Sequence, residues 1–296
     1  MKLISWNVNA RVKDGRKQVN VLSQQKPHVV AFQDVRATSV RQYEQAFAEI
    51  GLRYILHTFQ DPSDEATPTG VLIASCFELE RLPHLPSSAL WPEGMLSPHP
   101  EKVMKHWAKR MLFATLQSPW GKIDLYNAYV TPGLHKEGTS AGRKIYSSIK
   151  LDLLTGIYHT LATPSDRLRI LCGDFNTPQK ETITGETITW GQSYSKSKGC
   201  YYVRRKEVER HKAEFRVLRG LADYDLSDAY RRVHGYRSEK VYSWRTYRYD
   251  HIFASQALVP LSISYLNLLQ EHQLSDHVPI EAIFVPKTVP QVAEIV

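Results

Sequence analysis

The chain has 296 residues, of which 42% are hydrophobic and 23% charged, and its formal net charge is +8. This composition is typical of globular proteins and excludes a disordered or low-complexity chain. A chain of this length buries enough surface to fold without disulfides or a structural metal. Its three cysteines are widely spaced and form no CxxC pair, which argues against a structural zinc site and predicts a reducing compartment.

No segment has the length and apolar character of a transmembrane helix, and the N-terminal residues lack the apolar stretch of a signal peptide. We therefore expect a cytoplasmic protein without a membrane partner. A monomer is the expected oligomeric state.

Short apolar segments rich in β-branched and aromatic residues predict ten strands. In chain order they are 2–8, 28–32, 54–58, 70–74, 111–116, 123–130, 168–172, 250–254, 261–266 and 280–285. Helical periodicity predicts helices over Arg16–Gln25, Val40–Ile50 and Ala141–Leu161, the last with one continuous apolar stripe. Because strands and helices alternate irregularly, the pattern predicts an α/β fold in which two mixed sheets pack together and helices cover them.

The chain shows no internal repeat and no convincing domain boundary. We expect a single domain over 1–286 and a C-terminal tail over 287–296. Two segments have the composition of elaborations on the core: 82–109, which is rich in Pro and His, and 182–214, which becomes strongly basic. Long loops of this kind are functional in some proteins and disordered insertions in others.

Positive charge is concentrated between Lys196 and Arg248, where there are 15 Lys and Arg but 7 Asp and Glu. Aromatic residues are interleaved with these cations. Basic side chains neutralise phosphates and aromatic faces stack on bases, so the region suits a nucleic-acid partner, although a solvated basic surface explains it equally well. Arg204, Arg205 and Trp244 are candidate substrate contacts, with packing in the wall of the site the stronger interpretation for Trp244.

Polar residues that can bind metal or transfer protons lie near the ends of several predicted strands. They are Asn7, Asp34, Tyr129, Asp174, Asn176, Asp250, Asp276 and His277. Strand ends in layered α/β folds converge on one crevice. Phosphodiester hydrolysis needs a hard cation, an activated water and stabilisation of the developing charge. Carboxylate and amide oxygens are the ligands that Mg²⁺ prefers, and an imidazole held by a carboxylate has a raised pKa. Each residue taken singly also fits a turn or a helix cap.

Seven short motifs follow one another in order along nearly the whole chain. They are Ser5–Asn9, Phe32–Arg36, Thr69–Ser75, Tyr126–Pro132, Gly173–Pro178, Arg248–Ser255 and Ser275–Ile280. This ordered set resembles that of the endonuclease/exonuclease/phosphatase superfamily, and most closely its exonuclease III and abasic-site endonuclease branch. The resemblance implies a four-layer α/β sandwich with the site at one edge of its paired sheets.

The resemblance also implies a metal site for Mg²⁺ or Mn²⁺ formed by Asn7, Asp34 and Asp276. Position 34 departs from the usual pattern of the superfamily, in which a Glu stands there. Since the side chain is one methylene shorter, the cation must shift or coordinate through water, which predicts either weaker activity or a preference for a larger cation such as Mn²⁺. Asn9 is a further candidate substrate contact.

The catalytic roles that the resemblance implies fall on five residues. Asp174 would orient or deprotonate the attacking water, and Asn176 would hydrogen-bond the phosphate or that water. Asp250 would orient His277, which would stabilise the phosphoryl oxygen. Tyr129 would contact the phosphate or assist the leaving group, with core packing as the rival interpretation.

The favoured function is hydrolysis of phosphodiester bonds in DNA, as an abasic-site endonuclease, a 3′-exonuclease or both. One alternative is a hydrolase of RNA or of a small-molecule or lipid phosphoester, because the same metal chemistry serves any phosphate. Another is a non-catalytic nucleic-acid-binding relative, for which Asp34 is the only supporting feature.

Overall fold

The computed structural model describes residues 1–59, 69–83, 100–132, 140–237 and 241–287, with the side chains of 140–146 excepted. The strands are Lys2–Asn7 (β1), Val29–Val35 (β2), Tyr54–His57 (β3), Gly70–Ser75 (β4), Leu79–Arg81 (β5), Met111–Ser118 (β6), Gly121–Tyr129 (β7), Leu168–Asp174 (β8), Lys180–Glu181 (β9), Thr187–Ile188 (β10), Gln192–Ser195 (β11), Cys200–Val203 (β12), Ser227–Asp228 (β13), Asp250–Ala254 (β14), Leu258–Tyr265 (β15) and Ile280–Pro286 (β16). The α-helices are Gly15–Ser23 (α1), Val40–Glu49 (α2), Pro100–Arg110 (α3), Ser140–Leu161 (α4), Val208–Leu218 (α5) and Ala229–His234 (α6).

Two six-stranded mixed sheets form the centre of the fold. The first has the order β15–β16–β1–β2–β4–β3 and the second the order β13–β14–β8–β7–β6–β5. Each has one parallel pair among its described strands, β1 with β2 and β7 with β8, and its other pairs are antiparallel. The ten predicted strands are all present, with small shifts at their ends.

Both faces of each sheet carry apolar side chains, so each face packs against another layer of the fold. Side chains such as Leu3 and Val71 from the first sheet and Leu125 and Ile170 from the second form one buried cluster between the sheets. A second cluster lies between the first sheet and helices α1 and α2, and a third between the second sheet and helices α3, α4 and α5. Helices therefore cover both outer faces, which confirms the four-layer α/β sandwich.

A buried pair of amides joins the two sheets. The side chain of Gln33 on β2 donates to Oδ1 of Asn127 on β7 at 2.8 Å. The amide of Asn127 in turn donates to the backbone carbonyls of Phe32 and Leu72 in the first sheet. These three hydrogen bonds cross between the sheets and join them, although among the described residues the buried Oε1 of Gln33 has no partner.

The strand β2 is longer than predicted and irregular at its end. Its register with β4 shifts between Phe32 and Val35, and Asp34 has a positive φ of 57°. Asp34 therefore lies in a bulge within the strand, whereas the sequence suggested a position just beyond the strand. A bulge redirects a side chain from the regular alternation of the sheet.

The two predicted elaborations contain regular structure that the sequence analysis did not predict. Helix α3 occupies the end of 82–109, while residues 84–99 lie outside the described residues. The segment 182–214 includes strand β10, the β11–β12 hairpin and most of α5. Of the predicted tail 287–296, residues 288–296 also lie outside the described residues. None of the described helices is long and apolar enough to cross a membrane.

Candidate active site

Strand ends from both sheets bring the predicted residues together. Tyr129 at the end of β7 pairs with Asp174 at the end of β8, and Asp174 pairs on its other side with Asp250 at the start of β14. Asn7 ends β1 in the first sheet, and its Nδ2 donates to Oδ2 of Asp174 at 2.9 Å. The site therefore lies at one edge of the paired sheets.

The carboxylate of Asp174 is buried and held from several sides. Besides the Asn7 bond, Oδ1 accepts from the backbone N–H of Asn176 at 2.9 Å, and Oδ2 accepts from Nδ2 of Asn176 at 3.1 Å. Gly173, just before Asp174, has a φ of +138°, and a Cβ on it would lie 1.9 Å from the carbonyl oxygen of Ala128. Only glycine fits where β8 approaches β7 at this point.

His277 lies between two carboxylates. Its Nδ1 is 2.8 Å from Oδ2 of Asp250, and its Nε2 is 3.9 Å from Oδ2 of Asp174. The loop that carries it is fixed to the first sheet, because Ser275 Oγ accepts from the backbone N–H of His277 at 3.1 Å and donates to the carbonyl oxygen of Asn7 at 2.6 Å. The imidazole is therefore oriented by contacts from both sheets.

Burial and charge shift the pKa values of this group. Burial alone lowers the pKa of His277, but the charge and hydrogen bond of Asp250, aided by the charges of Asp174 and Asp276, outweigh it and raise that pKa to about 9. The pKa of Asp174 is raised by burial and then by the charge of Asp250, against the effects of His277, Asn176 and Asn7. A protonated imidazole thus faces a carboxylate that accepts a proton more readily than an exposed one.

The donor atoms at this site fit a divalent cation. Carboxylate oxygens of Asp174 and Asp250 lie within 4.8 Å of each other and of a ring nitrogen of His277, but a protonated imidazole has no lone pair for a metal, so a cation here would take oxygen ligands. Among the described residues, the buried Oδ1 of Asp250 has no hydrogen-bond partner. A buried, unpaired carboxylate oxygen is destabilising unless something binds it, and carboxylate oxygens are ligands of hard cations.

Asp34 and Tyr129 form a second group at the edge of this pocket. Asp34 is half-buried; burial raises its pKa, while a hydrogen bond with Thr69 and the charge of Arg110 oppose the rise. The guanidinium carbon of Arg110 lies 4.7 Å from the centre of the Tyr129 ring. Burial, and then the charge of Asp34, raise the pKa of Tyr129, so its phenol is protonated at neutral pH. The charge of His277 also lowers the pKa of Asp34, so the two side chains lie near each other.

Arg110 is a site residue that the sequence analysis missed. It ends α3, directly after the segment 82–109 that looked like an insertion and immediately before β6. Its place directly before a buried strand is the one signal that pointed to it.

An aromatic wall made of Trp190, Trp244, Tyr247 and Tyr249 adjoins His277, since the ring centres of Trp244 and His277 lie 6.2 Å apart. Trp244 stacks on Tyr249 with ring centres 5.7 Å apart, and Tyr247 stacks on Tyr249 at 5.0 Å. Trp190 packs on Tyr247 at 5.4 Å. The indole N–H of Trp244 donates to Oδ2 of the exposed Asp276 at 2.8 Å, so the wall also orients a predicted metal ligand.

The remaining candidate substrate contacts lie at different distances from the catalytic group. Asn9 is adjacent to it, because its backbone N–H donates to Oδ1 of Asn7 at 2.9 Å. Arg204 and Arg205 are exposed and follow β12, outside the cluster of catalytic side chains. The guanidinium of Arg204 donates to the carbonyl oxygen of Trp190 at 2.6 Å, which connects it to the aromatic wall.

A buried ion pair behind the site was also missed. Lys150 on α4 is 3.2 Å from Glu214 on α5, and Lys150 donates to the carbonyl oxygen of Asn176 at 2.8 Å. Glu214 accepts from the backbone N–H of Trp190 at 2.8 Å. The pair therefore joins the catalytic loop to the base of the aromatic wall.

A four-layer sandwich with Asp, Asn and His side chains gathered at its strand ends has the groups that hydrolysis of a phosphoester requires. Residues 4–277 match the family model described as Endonuclease/Exonuclease/phosphatase family. The chain belongs to this family, as its ordered motifs predicted. No curated protein sequence matches the chain significantly.

Solved structures share the fold over nearly the full length of both chains. An AP endonuclease from Archaeoglobus fulgidus is 21% identical with a TM-score of 0.66, covering 96% of this chain and 99% of that one. The 3′ phosphatase NExo from Neisseria, bound to a product DNA hairpin, is 21% identical with a TM-score of 0.60 and coverages of 96% and 99%. A humanized D. rerio TDP2 is 16% identical with a TM-score of 0.57 and coverages of 96% and 98%. At these identities the likeness establishes the fold.

Proposed function

We propose that this protein is a divalent-metal-dependent phosphodiesterase that acts on DNA, at abasic sites, at 3′ ends or at both. The observation that carries the proposal is the buried cluster of Asp174, Asp250 and His277 at the strand ends of a family fold. In this proposal the carboxylate of Asp174 serves the attacking water and the protonated imidazole of His277 serves the phosphoryl oxygen.

The proposed metal ion is Mg²⁺ or Mn²⁺. The residues that would hold it are Asn7, Asp34 and Asp276. All three border the catalytic group: Asn7 through its bond to Asp174, and the two carboxylates through their charge interactions with His277. When bound, such a cation neutralises the phosphate oxygens and makes a coordinated water more acidic.

Asp174 is proposed to orient the attacking water and accept its proton. Its raised pKa brings the carboxylate closer to the operating pH, where a general base is most effective. The side chains of Asn7 and Asn176 hold the carboxylate in place, and its remaining lone pairs would accept from the water.

His277 is proposed to donate from Nε2 to a non-bridging phosphoryl oxygen as charge develops there. Asp250 holds the opposite nitrogen and keeps the ring protonated, which is the form that such donation requires. The neutral phenol of Tyr129 is a second donor for the phosphate or the leaving oxygen, and Arg110 adds positive charge beside it.

Two observations favour DNA among the phosphoesters. The basic, aromatic segment that follows β10 leads directly from the aromatic wall of the pocket. Among the proteins that share the fold, one is described as an AP endonuclease and another was solved with a product DNA hairpin. A free small-molecule phosphodiester would make little use of a long basic surface beside the site.

The test is a panel of substrates and metals. Abasic duplex, blunt duplex, nicked duplex, single-stranded DNA, single-stranded RNA and an aryl phosphodiester are each incubated with Mg²⁺, Mn²⁺ or EDTA. We expect metal-dependent cleavage of the DNA substrates, abolished in Asp174→Asn. Asp166→Asn is the matched control, because this exposed Asp lies before the opposite end of β8. If the protein cleaves RNA or the aryl ester in preference to DNA, that compound and not DNA is its substrate. If nothing is cleaved with either metal, the proposal is refuted.

A further inference from the structure

The hairpin formed by β11 and β12, called here the ribbon (Gln192–Val203), carries tyrosines on both of its faces. Tyr194 pairs with Tyr201 across the strands, and their rings pack edge to face at 5.2 Å. Tyr202 pairs with Ser193 and so lies on the opposite face. Tyr194 is 53% exposed and Tyr202 49% exposed, which leaves ring surface on each face open to a ligand.

The ribbon is also strongly cationic. Between Thr187 and Lys206 there are five Lys and Arg and no Asp or Glu. Lys196 and Lys198 lie in the exposed turn at the tip, and Arg204, Arg205 and Lys206 follow its second strand. A single exposed tyrosine is ordinary, but exposed tyrosines in a stretch whose charged residues are all cations combine a stacking surface with an electrostatic one.

The base of the ribbon is fixed to the aromatic wall of the active site. Gly191 lies so close to helix α5 that a Cβ on it would be 2.8 Å from the carbonyl oxygen of Glu207 and the backbone N of His211. Arg204 donates its backbone N–H to the carbonyl oxygen of Gly191 at 3.1 Å and its guanidinium to that of Trp190. Since Trp190 packs on Tyr247 in the wall, the ribbon projects from the edge of the pocket.

We propose that the ribbon binds an unpaired stretch of the DNA strand that enters the active site, and that the preferred substrate is DNA with a single-stranded extension next to the scissile phosphate. This inference rests on the proposed function. Bases in a duplex stack on each other and hide their faces, whereas an unpaired strand presents them to tyrosine rings. The lysines at the tip and the arginines after β12 neutralise its phosphates.

The size of the ribbon sets the length of the bound strand. Four residues per strand at about 3.3 Å each span roughly 13 Å. At about 3.4 Å per nucleotide of a stacked strand, this length corresponds to about four nucleotides. An extension shorter than this is expected to bind less tightly, and one much longer is expected to add little.

Binding is measured by fluorescence anisotropy with the full chain carrying Asp174→Asn, so that the strand is not cut, in the presence of Mn²⁺. The probes are a twelve-nucleotide oligothymidine and blunt duplexes with or without a six-nucleotide single-stranded extension at the 5′ or the 3′ end. We expect the oligothymidine and one extended duplex to bind more tightly than the blunt duplex. Tyr194→Ala with Tyr202→Ala should weaken that binding by about tenfold or more, whereas the two Tyr→Phe changes should retain it.

Charge is tested separately. Lys196→Ala with Lys198→Ala should reduce the slope of log affinity against log salt for the single strand by about 1.4, which is about 0.7 for each lost phosphate contact. Tyr54→Ala and Lys122→Ala are matched controls, because both residues are exposed and lie on strands at the end remote from Asp34 and Tyr129. Each control should bind like the parent chain, and all variants are checked by thermal melting.

The inference is wrong if blunt and extended duplexes bind equally well. It is also wrong if the Tyr→Ala variants have the melting temperature and the DNA affinity of the parent chain. Either result counts against the inference even if the panel shows DNA cleavage. Conversely, absence of any metal-dependent turnover in the panel refutes the proposed function, whatever the ribbon binds. The two failures are therefore distinguishable.

Discussion

The carboxylate of Asp250 and the imidazole of His277 are joined by a hydrogen bond of 2.8 Å that is almost entirely shielded from solvent. Asp250 comes from the start of a strand in the second sheet, and His277 from a loop tied to the first sheet. The bond therefore spans the two halves of the sandwich, and it determines the protonation state of the residue that is proposed to face the phosphate.

Replacement of Asp250 by Asn is expected to lower kcat by about 100-fold or more, because the amide no longer stabilises the imidazolium. The pH profile should change in a defined direction. In the parent protein, activity is expected to fall as pH rises through about 9, where His277 loses its proton. Without Asp250 the pKa of His277 falls, so this alkaline limb should move to lower pH. Turnover of the aryl phosphodiester between pH 6 and pH 10 measures both effects; an unmoved limb contradicts the assignment of His277.

The side chain at position 34 is expected to influence the choice of metal. Asp34→Glu extends the carboxylate by one methylene and should raise the ratio of Mg²⁺-supported to Mn²⁺-supported activity. Asp34→Ala should weaken activation by both metals. Titration of each cation into protein stripped with EDTA gives the apparent metal affinities, and identical affinities in parent and Ala variant would remove Asp34 from the metal site.

Glu181 is expected to stabilise the fold through buried ion pairs. Its carboxylate lies 2.7 Å from Arg248 and 2.6 Å from Arg231. Burial raises the pKa of Glu181, but the two guanidinium groups outweigh this and lower it from 4.5 to about 2. This stabilisation is present above pH 4.5 and is lost as pH falls toward 2. Glu181→Gln should therefore lower the free energy of unfolding by about 3 kcal/mol at pH 7.

Urea unfolding of Glu181→Gln and parent protein at pH 7 and at pH 4 and below tests this linkage, and the difference should narrow as the solution becomes more acidic. Glu49→Gln is the control, since the pair that Glu49 forms with Arg16 is about half exposed and exposed pairs contribute little. A difference that stays constant down to the acid transition contradicts the role of the Glu181 charge.

Replacing only one residue of the buried ion pair between Lys150 and Glu214 is expected to destabilise the fold strongly. Lys150→Met leaves the carboxylate of Glu214 buried without its cation and should lower the free energy of unfolding by about 3–5 kcal/mol. Adding Glu214→Leu should recover much of that loss, because no buried charge remains. Lys212→Met breaks an exposed pair with Glu209 on the same helix and should cost less than about 1 kcal/mol. Denaturant titration of the four chains gives these differences, and a Lys150 variant as stable as the parent refutes the coupling.

The sequence predicted the central strands well because each buried strand is a short continuous segment of apolar residues, which is visible in the sequence without knowledge of distant contacts. Asp174 and Asp250 were placed correctly at strand ends for the same reason. The bulge at Asp34 was not predictable, because it depends on how β2 pairs with β4. Helix α5 was read as part of a basic loop, because its fully buried Glu214 looks like a surface residue until its distant partner Lys150 is known. Arg110 was missed because the charge that it approaches, Asp34, is far away in sequence.

The amide bridge between Gln33 and Asn127 has a consequence for how the protein loses activity on heating. Asn7 and the His277 loop belong to one sheet, Asp174 and Asp250 to the other, and this bridge clamps the sheets together immediately beneath the chemistry. The proposed catalytic group therefore depends on both sheets keeping their relative position. Inactivation and melting should therefore coincide as a single cooperative event, with no warm, folded but inactive species between them.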